Sequence, residues 1–122
     1  MERAKFVRLG EEALEALPKV FKDRLQNVDV VVEDEPDPFQ LRAVKAREGR
    51  SLLGLYHGVP LPKRRHDYGM VMPDKISIFK NNIERKCKSE EEIVRTVART
   101  VRHELAHHFG ITDGRMKRLD IY

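Results

Sequence analysis

Cysteine is almost missing from this sequence: Cys87 stands alone among 122 residues. A lone cysteine excludes an internal disulfide and any metal site built on paired thiolates, so metal ligands must come from histidine and carboxylate. Its own expected role is that of a small apolar filler. Long hydrophobic runs are missing too. No stretch approaches the roughly 20 apolar residues of a membrane span, and the opening Met1-Glu2-Arg3-Ala4-Lys5-Phe6 carries no signal-like apolar segment. The expected address is cytoplasmic, with no membrane partner. Nor does one sign of charge dominate, since 24 basic residues face 20 acidic ones for a net +4 and a pI near 9.3. Basic surfaces attract polyanions in general, but no nucleic-acid fold signature accompanies the charge, so no specific nucleic acid is expected. The length suits one domain, 1–122. Charged residues at 36% and hydrophobic ones at 40% suit a globule with a modest core and a heavily charged surface.

What the chain does hold is concentrated near its end, where residues 101–113 read Val-Arg-His-Glu-Leu-Ala-His-His-Phe-Gly-Ile-Thr-Asp. His103, Glu104 and His107 spell the two-histidine, one-glutamate signature of helical zinc sites. Residues four apart on a helix lie about 40° apart around the axis and about 6 Å apart along it, so two imidazoles can grip one ion. Glu104 follows His103 by about 100° and points beside the metal, where a carboxylate can hold a water and act as general base. A catalytic zinc takes three protein ligands and leaves a position open. On a continuous helix Asp113 would lie about 9 Å beyond His107, out of reach. Gly110 accepts the conformation that ends helices and lets the chain reverse, which makes Asp113 the candidate third ligand.

The helix carrying this motif is expected from Ser89, which forms a capping box with Glu92, to Phe109. It has three faces. Ile93, Val94, Val97, Ala98, Val101, Leu105 and Phe109 are apolar, while Arg95, Arg99 and Arg102 make a solvated strip. Thr96, Thr100, His103, Glu104 and His107 fill the remaining arc, with the threonines as spacers or as donors to the ligands. His108 falls in the apolar arc and reads as a hydrogen-bonded core histidine rather than a ligand.

Upstream, Phe6, Leu9, Ala13 and Leu17 predict an amphipathic helix over 4–17, ended by Pro18 and followed by a short helical piece through Val20, Phe21 and Leu25. Alternation at Val28, Val30 and Val32 predicts a strand. Residues 34–50 read as a connector with weak helical spacing at Phe39, Ala43 and Ala46. Strands are expected at 52–57 and 75–80, the latter ended by Asn81-Asn82. Gly54 within a strand implies either a packing need or a backbone that must come close. Residues 60–73, with Lys63-Arg64-Arg65-His66 and Tyr68-Gly69, read as a loop. Arg115, Met116 and Leu119 suggest a short terminal helix.

The motif His103-Glu104-x-x-His107-x-x-Gly110-x-x-Asp113 resembles that of the small bacterial zincin-like metallopeptidases. The likeness extends to Leu52-Leu53-Gly54-Leu55-Tyr56, to Gly58-Val59-Pro60-Leu61 with Arg64, to Pro73-Asp74 with Ile76, and to His108-Phe109. It implies an α+β fold of minimal zincin type, with a small mixed β-sheet packed on an active-site helix and closed by the N-terminal helix. By the same resemblance, residues 53–57 are an edge strand that receives an extended peptide by main-chain hydrogen bonds, and the substrate-binding candidates are Gly54, Leu55, Tyr56, Arg64, His66 and Tyr68.

The expectation is a zinc-dependent metallopeptidase acting on a peptide or protein, with one Zn2+ per chain, another divalent ion being chemically admissible. Candidates for the oxyanion donor are Tyr56, His57, Arg64, His66 and Tyr68. The alternative is a non-catalytic or partner-specific zinc-binding regulatory module using the same His, His and Asp ligands.

Overall fold

A computed structural model describes residues 1–23, 28–43, 52–57 and 74–109. The loop holding Arg64, His66 and Tyr68, the turn at Gly110, the ligand candidate Asp113 and the terminal helix lie outside the described residues. In chain order the elements are α1 (Arg3–Glu15), α2 (Lys19–Lys22), β1 (Val28–Glu33), α3 (Pro38–Ala43), β2 (Gly54–His57), β3 (Asp74–Phe79), α4 (Lys80–Lys86) and α5 (Glu90–His108).

Among the described residues, β3 is the middle strand of a three-stranded mixed sheet ordered β1-β3-β2. β1 runs parallel to it, with Val28 opposite Asp74 and Glu33 opposite Phe79. β2 runs antiparallel, with Gly54 opposite Ile78 and His57 opposite Lys75. Side chains alternate across a strand, so Val30, Val32, Ile76 and Ile78 share one face with Gly54 and Tyr56. α1 and α5 cover that face, and Phe6, Val32, Ile76, Ile78, Ile93, Val97, Val101 and Leu105 form one buried cluster there. The α+β expectation holds, including the helix at the N-terminus.

α1 bears its expected stripe, with Phe6 and Ala13 buried, and Leu17, two residues past its end, is buried too. Gly10, on the same stripe, lets the helix settle on the sheet, because a Cβ there would meet Val30 Cγ1 at 2.6 Å and Ile78 Cδ1 at 2.9 Å. The 34–50 connector contains α3, whose Gln40 is buried and exchanges hydrogen bonds with Asp37.

The largest departure is α4. Asn81-Asn82 reads as a strand terminator because asparagine competes for local backbone bonds, yet β3 passes straight into a helix. The physical reason is tertiary. Asn82 Nδ2 donates to Leu52 O at 2.7 Å, Asn81 N donates to Asp34 O at 3.0 Å, and Ile83 is fully buried. Among the described residues, no helix is long and apolar enough to cross a membrane.

Candidate metal centre

α5 begins where the sequence places it. Ser89 is extended, and its hydroxyl accepts from Glu92 N at 3.1 Å. The capping box is only half formed, since the Glu92 carboxylate accepts from Lys88 N at 3.2 Å rather than from Ser89. Glu90, Glu91 and Glu92 in the first turn and His107 and His108 in the last oppose the helix dipole favourably, the histidines when protonated.

Nineteen residues of unbroken helix carry the motif to its C-terminal turns. There His103, Glu104 and His107 each offer one ligand atom, and these atoms all lie within 4.8 Å of one another. The two imidazole rings are 4.2 Å apart between centroids and inclined at 60°. The donor set fits a divalent metal such as zinc, which imidazole nitrogens bind at about 2.0–2.1 Å. Both histidines are partly exposed, so an ion and a water have a way in, whereas Glu104 is only 7% exposed. Its carboxylate thus sits away from solvent at one side of the two imidazoles.

The other faces of α5 correct the sequence in two places. Val94, assigned to the apolar arc, is 41% exposed. His108, expected in the core, is exposed at the end of the helix, with its ring stacked 4.1 Å from that of Tyr56. His108 is the last residue of the helix, so no further helical turn follows to cover it. His108 does not belong to the ligand cluster among the described residues. Thr96 and Thr100 are both buried. The Thr96 hydroxyl lies 3.2 Å from Cys87 Sγ, which joins the two in a hydrogen bond and gives the lone cysteine a polar contact as well as a packing role.

β2 runs beside α5 at the end of the described sheet. Gly54 proves to be the packing glycine. A Cβ built there would lie 2.5 Å from Thr100 Cγ2, 3.0 Å from Ser77 O and 3.9 Å from Glu104 Cγ, so what comes close is the site helix through its Thr100 side chain. Leu55 and His57 point to the opposite face, because strand alternation turns them away from α5. His57 is therefore not beside the ligand cluster. Its Nε2 is buried without a hydrogen-bond partner among the described residues, and burial, followed by the neighbouring Lys75, lowers its pKa.

Tyr56 does face α5, and its hydroxyl donates to Asp74 Oδ2 at 2.5 Å. Asp74 entered the sequence reading only as part of the family likeness, with no role assigned to it. It is 7% exposed at the start of β3, on the same face as Ile76. An acidic residue directly after a proline and before an alternating apolar run was the available signal.

A family model described as zincin-like metallopeptidase matches residues 25–122. Among solved structures, a conserved hypothetical protein from Thermus thermophilus is similar at 27% identity and a TM-score of 0.56, over 89% of this chain and 94% of that one. No curated protein matches.

Proposed function

The chain belongs to the zincin-like metallopeptidases, and from that premise we propose that it hydrolyses peptide bonds in a peptide or protein substrate, using one zinc ion. The observation that carries this reading is the cluster of His103, Glu104 and His107 on the last turns of α5, with ligand atoms within 4.8 Å of one another. His103 and His107 would hold the ion, with Asp113 as third ligand. Zinc supplies polarisation of the scissile carbonyl and a more acidic water.

The chain's own residues do the rest. Glu104, buried beside the imidazoles, accepts the proton of the attacking water at its carboxylate and returns it to the leaving amine. The substrate lies extended along the outer edge of β2, adding a strand by main-chain hydrogen bonds. In support, β2 ends the described sheet and flanks α5.

Glu104→Gln tests the base, because it keeps size and hydrogen bonding but removes the proton acceptor. Zinc content should match that of the unmodified protein while peptide hydrolysis falls about a hundredfold to ten-thousandfold. Hydrolysis at the original rate would remove Glu104 from the mechanism. Metal retention tests the third ligand. Asp113→Ala should release zinc into a chelator far more readily than Asp120→Ala, and equal retention would strike Asp113 from the site. An unmodified protein that holds zinc but cleaves no peptide would be the regulatory module instead.

A further inference from the structure

β2 and α5 touch through alternate residues of the strand and successive turns of the helix. Gly54 meets Thr100 and the base of the Glu104 side chain. Two residues further, Tyr56 stacks on His108. Two strand residues advance by about 6.8 Å and four helical ones by about 6 Å, so the two elements can keep step through this contact. The tightest point is at Gly54. An added Cβ would approach Thr100 Cγ2 to 2.5 Å, about 1 Å inside the ordinary 3.5–4.0 Å carbon contact. The same Cβ would lie 3.0 Å from Ser77 O, so the neighbouring strand crowds it as well.

We propose that Gly54 is the positioning residue of the site: its missing side chain sets the spacing between β2 and the Thr100–Glu104 turn, and so aims the Glu104 carboxylate at the peptide held on β2. The inference rests on Glu104 as general base and on β2 as the substrate edge. Thr100 is the other half of the device. It presents a methyl to Gly54, and the pair fills the gap as one unit. A residue larger than glycine pushes the Glu104 turn outward by about 1 Å, a misplacement of the kind that costs about a hundredfold in rate. His103 and His107 ride on the same helix and keep their mutual spacing, so metal binding survives the shift.

The test is a cycle of three variants, Gly54→Ala, Thr100→Ser and the double substitution, assayed on a peptide that the unmodified zinc protein cleaves. Serine keeps the hydroxyl of Thr100 and removes the methyl that the new Cβ would strike. Gly54→Ala should lose about a hundredfold in kcat, with KM and zinc affinity unchanged, and adding Thr100→Ser should recover most of that loss. An undiminished kcat in Gly54→Ala, or a loss that Thr100→Ser leaves in place, overturns the proposal, while Glu104→Gln judges the base separately. If Gly54→Ala does not fold, the double variant is compared with Thr100→Ser alone, and a hundredfold deficit between them overturns it as well. A readout apart from turnover is the visible absorption of the Co2+-loaded proteins. Because His103, Glu104 and His107 move together on one helix, the bands should stay where they are in all three variants, and a shift in Gly54→Ala that accompanies its loss of rate would overturn the proposal by placing the damage at the metal.

Discussion

At the scale of single residues, the instructive pair is Tyr56 and Asp74. Tyr56 is one of the candidate oxyanion donors named from the sequence, and its hydroxyl donates to a buried carboxylate on the neighbouring strand. Its ring at the same time supports His108, next to the proposed ligand His107. Tyr56→Phe keeps the ring and removes the hydroxyl, so Asp74 stays buried with one donor fewer. The variant should lose about 1.5–3 kcal/mol of stability, the worth of a hydrogen bond to a charged group, read from the midpoint of denaturant unfolding. A loss below about 0.5 kcal/mol would mean that other donors serve Asp74 in full. The residue types were legible before the structure, but their pairing was not, because positions 56 and 74 lie 18 apart in sequence and meet only through the β2–β3 register.

At the scale of elements, α5 was the most legible part of the chain. A long helix repeats its pattern over several turns, so capping at Ser89, the apolar run to Leu105 and the arc of Thr96, Thr100, His103, Glu104 and His107 agree with one another. β1 and β3 were visible through alternating β-branched residues. α4 was hidden because its seven residues carry an asparagine pair that normally favours a turn, and the bonds that reverse that preference come from Leu52 and Asp34. β2 was found as a strand, but its glycine was ambiguous. The same missing Cβ serves a substrate backbone or a neighbouring helix, and only the 2.5 Å approach to Thr100 decides for the helix. Leu55 and His57 followed from the same alternation. Once Gly54 faces α5, odd positions of the strand cannot.

At the scale of the whole molecule, the start of the chain is tied by charge to the helix that follows β3. Glu84 on α4 accepts from Lys80 Nζ at 2.8 Å and from the Met1 amino group at 2.9 Å, so α1 is held against α4. The hydrogen bond from Lys80, and then that from the Met1 amino group, hold the Glu84 carboxyl below its ordinary value of 4.5. The folded state therefore prefers the ionised form, and this stabilisation is present above the ordinary glutamate value and lost as pH falls through the lower folded one. The unmodified protein should be more stable than Glu84→Gln at neutral pH. Thermal unfolding should show the two converging below about pH 5, and a gap that stays constant into acid would remove Glu84 from the acid response. Periodicity and the His103-to-His107 spacing determined by themselves the N-terminal helix, the strands around Val30 and Ile76, and a candidate metal-ligand motif on a long helix, because helical and strand periods are local properties. Only the tertiary structure decided which strand lies beside the motif, which of Tyr56 and His57 faces it, and why position 54 is glycine. Those depend on register and on the distance between a helix and a sheet, which are set by contacts between residues far apart in the chain.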